Sequence, residues 1–181
     1  MSDFEPRIVC FACNWCSYPA ADAAGVGRMQ YAHNIRIVRV MCAGRINPSF
    51  VLQSFELGAD GVLVTGCHLE DCHYRFGARQ TVDNYGRTEN VVRMLGIEPE
   101  RLRYEQISAA EAPLFAKTVN EFVAAVKKVG PSKLRVHRRV KQVLPDAQFS
   151  AESGCAIQST GGPLCSAGSH QQTPVDPAGR D

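Results

Sequence analysis

Three short β-rich runs each lead to a cysteine, and this repetition limits the fold more than any other feature of the chain. Residues 7–11, "RIVCF", run into Cys13-Asn14-Trp15-Cys16. Residues 35–42, "IRIVRVMC", alternate apolar with basic side chains and end on Cys42. Residues 61–67, "GVLVTGC", are continuously apolar, as in a strand buried on both faces, and end on Cys67. A fourth run, "RLRYEQIS" at 101–108, has the same β character.

Helix signals lie between and after these runs. "PAADAAGVGRMQY" carries an early proline, which suits a helix start. "NPSFVLQSFELGAD" offers Asn47 as N-cap, Pro48 at the first helical position and Gly58 as a stop. Its predicted apolar face is Phe50, Val51, Ser54, Phe55 and Leu57. A third helix is expected around residues 89–95, closed by Gly96. The clearest helix is "AAEAPLFAKTVNEFVAAVKKVG", with Leu114, Phe115, Val119, Phe122, Val123 and Val126 on one face. Strand and helix in alternation predict an α/β fold: a small three-layer domain with about four parallel strands.

Two segments follow from composition. Residues 1–129 hold every strong periodic signal and are read as the α/β domain. Residues 130–181 open with a basic stretch and pass into Ser, Gly, Pro and Gln, which predicts a disordered C-terminal tail. From 127 to 141 there are seven Lys or Arg and no acid. Aromatic stacking platforms are missing there, so a solvated face or a docking strip for an acidic partner is expected rather than nucleic-acid binding. The formal net charge is only +2. The N-terminus has no basic region before its apolar run, and no segment approaches the ~18 apolar residues of a membrane span. The reading is a cytoplasmic protein, without nucleic-acid or membrane partners, in which thiols stay reduced.

In that setting eight cysteines point to metal or catalysis before disulfides. Six lie between Cys10 and Cys72, and Cys155 and Cys165 stand apart. The carboxyl ends of parallel strands share one edge, so Cys13, Cys16, Cys42, Cys67 and Cys72 are expected to meet there. Cys10, inside the first run, reads as a packed core thiol. Three chemistries compete. A redox dithiol needs only Cys13 and Cys16, stabilised by a following helix. Structural zinc takes four cysteines, commonly as paired CxxC knuckles, but only one CxxC is present. An iron–sulfur cluster takes four and tolerates irregular spacing. Chemistry ranks iron–sulfur first, zinc second and dithiol third.

His68 and His73 flank the last two cysteines. They read as hydrogen-bond donors or surface residues rather than ligands in place of cysteine. Trp15 reads as packing or as a shield over the site. Arg39 and Arg45 flank Cys42, either raising a cluster potential or serving as surface charges. "AGVGRM" is too short of glycines, and too far from a strand, to be a dinucleotide fingerprint. No catalytic constellation stands out.

Four blocks together resemble a known family: "CNWCSYPAAD", "AGVGRMQY", "IRIVRVMCAGRINPSFVLQSFELGADGVLVTGCHLEDCHY" and "ISAAEAPLFAKTVNEF". They are similar to the iron–sulfur delta subunit of methyl-viologen-reducing hydrogenase, over residues 8–126. The resemblance implies one 2Fe–2S cluster and a role as a non-catalytic electron-transfer subunit of an oxidoreductase complex. It implies partners of two kinds: a nickel–iron hydrogenase or formate dehydrogenase, and the flavin-bearing subunit of heterodisulfide reductase or of a related complex. The family's cysteine positions map onto Cys13, Cys16, Cys42, Cys67 and Cys72, five candidates for four ligand places. The expected outsider is Cys67 or Cys72. The alternatives remain a zinc-stabilised adaptor, or a dithiol oxidoreductase using Cys13 and Cys16.

Overall fold

In the computed structural model, residues 4–134 are described. The second half of the basic stretch, the tail, Cys155 and Cys165 lie outside the described residues. Four strands form one parallel sheet: β1 (Ile8–Cys13), β2 (Ile35–Val40), β3 (Gly61–Gly66) and β4 (Leu102–Gln106), in the order β2-β1-β3-β4. The helices are α1 (Ser17–Val26), α2 (Pro48–Glu56), α3 (Gly77–Met94) and α4 (Ala112–Val129). Short 3-10 turns occupy Ala43–Arg45 and Pro99–Arg101.

The strand order explains the layers. From β1 the chain moves one way to β2, then crosses back to β3 and continues to β4. Connections of a single hand must therefore place α1 on one face and α2 and α3 on the other. The core divides accordingly. Ile8, Cys10, Ala12 and Leu63 pack with α1 and α4, and Phe11, Cys13, Val62 and Val64 pack with α2 and α3. This is the two-residue period of a strand, visible in β1 itself.

Local chemistry sets the helix ends. The Asn47 side chain accepts from the Ser49 N–H at 3.0 Å, with Pro48 behind it in the first turn of α2. Val51, Ser54 and Phe55 are the buried face of α2, whereas Phe50 and Leu57 are exposed, so the expected stripe is narrower. The "AGVGRM" glycines close α1, with Gly27 as its C-cap. In α4 the expected face is buried, with Leu114 at its margin.

The largest departure is α3. The sequence predicts a short helix around 89–95, but it begins at Gly77. Up to Thr88 it buries only Gly77, Ala78, Thr81 and Thr88 instead of large apolar side chains. Thr81 and Thr88 donate their hydroxyls to the carbonyls four residues back, at 2.8 and 2.6 Å. A helix packed through small and self-satisfied polar residues shows no apolar period.

Arg101 locks the amino ends of the strands. Only 1% exposed, it donates to the Asp60 and Gly130 carbonyls at 3.0 Å each, to Pro131 O at 3.2 Å and to Glu98 Oε2 at 2.7 Å. The Asp60 carboxylate accepts from Arg7 N–H and Ser132 N–H at 2.9 and 3.0 Å. No helix among the described residues is long and apolar enough to cross a membrane.

Candidate metal centre

The chain reverses direction between β1 and β3, so their carboxyl ends flank the crevice where open parallel sheets bind ligands. Cys13 is the last residue of β1, and Cys67 follows the last residue of β3. Their sulfurs stand 3.8 Å apart. Cys16, on the turn into α1, joins them, and the three sulfurs lie within 4.8 Å of one another, all in buried residues. The turn is pinned by Ser17, whose hydroxyl accepts from the Cys13 N–H at 2.9 Å and donates to the Thr65 carbonyl at 3.1 Å. Cys10 belongs to the opposite face by strand parity. It is fully buried, with Sγ 3.8 Å from Thr65 Oγ1, as expected of a core thiol.

Cys42 and Cys72 form a second group, converging on the start of α3. A Cβ added at Gly77 would stand 2.5 Å from Cys42 Sγ and 3.1 Å from Cys72 Sγ. The Ala78 N–H donates to Cys72 Sγ at 3.2 Å. Gly44 makes room on the other side: a Cβ there would meet the Gly77 carbonyl at 2.7 Å. Asn84 then ties the two elements by donating to the Gly44 carbonyl at 3.0 Å. Gly44 and Gly77 are site residues that sequence reasoning missed. The hidden first half of α3 removed the only cue, a glycine at a helix start beside a cysteine loop.

The flanking residues take specific places. Trp15 is exposed and stacks on His73, with ring centroids 3.9 Å apart, and its Nε1 donates to the Tyr74 hydroxyl at 3.1 Å. It therefore clasps the CxxC turn to the Cys67–Cys72 loop rather than sealing a buried site. His68 Nε2 lies 2.8 Å from Glu111 Oε2, an ion pair that raises the His68 pKa. Glu111 is held low by the Ser108 N–H and then by His68. Arg39 lies over the Tyr18 ring at 5.1 Å, while Arg45 lines a groove of about 550 Å³ with Met41, Cys42, Tyr74 and Phe76.

Thiols this close bias one another's protons. Hydrogen bonds from Cys16 and Cys67 hold Cys13 well below the ordinary thiol range, and contacts within the same trio push Cys16 and Cys67 up. Cys42 is raised chiefly by burial. Burial also pushes Cys10 up to about 12. Beside the thiols stands Tyr104, raised to about 12 by burial and further by the negative charge of Cys16, Cys67 and Cys72. The neighbouring Gln106 side chain acts against that rise. It does not reach hydrogen-bonding geometry, and the Tyr104 hydroxyl oxygen is fully enclosed with no hydrogen-bond partner among the described residues.

These residues fit a thiolate-bound metal centre. A tetrahedral ion with metal–sulfur bonds of ~2.3 Å separates its sulfurs by roughly 3.8 Å, close to the Cys13–Cys67 spacing. Soft sulfur donors select iron–sulfur, zinc or copper(I). Residues 8–130 match the family described as methyl-viologen-reducing hydrogenase, delta subunit. The chain belongs to this family. One relative, an iron-sulfur subunit of the F420-non-reducing hydrogenase of Archaeoglobus profundus, is 47% identical over 131 residues, covering 72% of this chain and 96% of that protein. The vhc iron-sulfur subunit of the F420-non-reducing hydrogenase of Methanococcus voltae is 49% identical over 133 residues, covering 74% of this chain and 92% of the relative. A third relative is a much longer subunit of the ferredoxin/F(420)H(2)-dependent CoB-CoM heterodisulfide reductase of Methanosarcina acetivorans. It is 47% identical over 126 residues, which are 70% of this chain but only 16% of the larger protein. The family's domain thus also occurs built into a heterodisulfide reductase polypeptide.

Proposed function

We propose that this protein is an electron-transfer subunit of an oxidoreductase complex, holding a 2Fe–2S cluster with four of Cys13, Cys16, Cys42, Cys67 and Cys72. The observation that carries this reading is the buried trio Cys13, Cys16 and Cys67 at the switch point between β1 and β3, with Cys42 and Cys72 paired at the start of α3. When bound, such a cluster accepts and returns one electron at a time. The chain's own residues hold and tune it. The buried trio and the Gly77 pair supply thiolates from three strand ends and one loop. The Ala78 N–H donates to Cys72 Sγ and holds it at the start of α3. The Trp15–His73 stack restrains the loop between Cys67 and Cys72. No residue is assigned to bond-making chemistry.

The partners proposed are the flavin-bearing subunit of heterodisulfide reductase or a related flavoprotein, and a nickel–iron hydrogenase or formate dehydrogenase. The relatives named as hydrogenase subunits, and the one fused into a heterodisulfide reductase polypeptide, support partners of this kind. Residues 1–129 would form the cluster domain and 130–181 a basic segment and tail, whose first residues bond to Arg101 and Asp60, in a cytoplasmic protein.

Zinc in an adaptor is the competing use of the same thiols, and a Cys13–Cys16 dithiol is the other. The dithiol leaves the Cys42–Cys72–Gly77 arrangement without a purpose. Anaerobic purification with iron and acid-labile sulfide analysis, followed by electron paramagnetic resonance after dithionite, tests the reading. About two irons and two sulfides per chain with a spin-half signal is the expected result. Stoichiometric zinc without iron would replace the electron carrier with the adaptor.

A further inference from the structure

The Tyr104 hydroxyl is a buried donor beside the thiol crevice, left over by the fold. We propose that it donates a hydrogen bond to a sulfur of the bound iron–sulfur centre, making Tyr104 a positioning residue that sets the potential of that centre; this rests on the electron-carrier reading above.

Tyr104 pairs with Val64 in the sheet, so its side chain falls on the face that carries α2 and α3. Cys13, Cys16 and Cys67 face the same way and belong to the same packed group, with Cys72 at its margin. The ring leans on the backbone of Gly66, the residue before Cys67: a Cβ there would lie 3.6 Å from both Tyr104 Cε2 and its hydroxyl oxygen. These are ordinary van der Waals distances, so the phenol lies directly against the end of β3. Tyr85 stacks obliquely on the ring, at 5.6 Å, and fixes its tilt. Tyr85 itself is satisfied, donating to the Leu102 carbonyl at 3.3 Å. The hydroxyl oxygen of the half-buried Tyr104 is the only buried side-chain polar atom without a hydrogen-bond partner among the described residues.

A buried hydroxyl without an acceptor loses its hydration uncompensated, and phenylalanine would avoid that cost at almost the same shape. The presence of a hydroxyl beside the thiols is explained if the acceptor arrives with the cofactor. Sulfur in an iron–sulfur centre is such an acceptor, and it gains negative charge on reduction. A donor there stabilises the reduced state more than the oxidised one and raises the potential.

The test is Tyr104→Phe in the full-length protein carrying its metal. Iron and sulfide content should match wild type, because every thiol is intact. The midpoint potential should move to more negative values, lowering the ratio of reduced to oxidised protein at fixed potential by roughly fivefold. In the reduced wild type, pulsed electron paramagnetic resonance should detect one exchangeable proton coupling more than in the variant, beyond that of the Ala78 N–H on Cys72. An unchanged potential with the proton coupling retained would overturn the assignment and leave the hydroxyl to a water. A wild-type protein without iron would instead sink the electron-carrier reading, and this proposal with it. Equal melting temperatures of the two proteins exclude a change in packing as the source of a shift.

Discussion

The two ends of the sheet differ in how their polar groups are satisfied. At the amino ends, Arg101, Asp60, Glu98 and the carbonyls of Gly130 and Pro131 close on one another. At the carboxyl ends, three thiols crowd within 4.8 Å and the Tyr104 hydroxyl meets no acceptor among the described residues. The strands are the same and the register is continuous, so the backbone does not cause this contrast. One end satisfies its polar groups from within the chain, whereas the other arranges donors suited to something added.

Arg101→Met should break the comparison most strongly. It leaves the Glu98 carboxylate and three carbonyls short of a donor, and should cost about 3–5 kcal/mol. Thermal unfolding of the isolated protein would register this loss, while iron per folded chain stays at the wild-type level. Gly77→Ala should do the reverse. Its Cβ collides with both Cys42 Sγ and Cys72 Sγ, so metal affinity should fall about 10–100-fold while the sheet persists. Iron analysis beside circular dichroism separates the two effects. Wild-type iron in Gly77→Ala would mean that Cys42 and Cys72 do not both serve the centre.

Cys10→Ala sharpens the line between the faces of the sheet. It should cost about 1 kcal/mol in unfolding free energy, from lost burial and a small cavity, with no change in iron. Iron loss in this variant would contradict the strand parity that keeps Cys10 apart. The smallest effect is in the pH profile. Arg101 depresses the Glu98 pKa, so this pair's contribution is fully present above the ordinary carboxylate pKa. It fades as pH falls through the lower folded value. Glu98→Gln should flatten the acid limb of melting temperature against pH, and an unchanged limb would show that the pair does not act there.

Much of the site is legible in the chain because strands carry a strict period and a shared direction. Cys13, Cys42 and Cys67 stand at or just beyond the ends of β1, β2 and β3. The meeting of Cys13 and Cys67 follows from adjacent parallel strands, whereas Cys42 pairs with Cys72 at the start of α3. Cys10 and Cys13 differ by an odd number of positions, which by itself sends them to opposite faces. The start of α3, the Gly44–Gly77 approach and the part played by Trp15 are not legible. Each depends on partners distant along the chain: Cys42 for Gly77, Gly77 for Gly44, His73 for Trp15.

The same division holds for Tyr104 and Arg101. Sequence alone makes one a strand aromatic and the other the first residue of the same strand, because propensity and period act on neighbours along the backbone. Whether a hydroxyl lacks an acceptor, or a guanidinium finds four, depends on which distant groups share its space. That is set only when the strands take the order β2-β1-β3-β4, and the chain's reversal between β1 and β3 opens the crevice where the thiols converge.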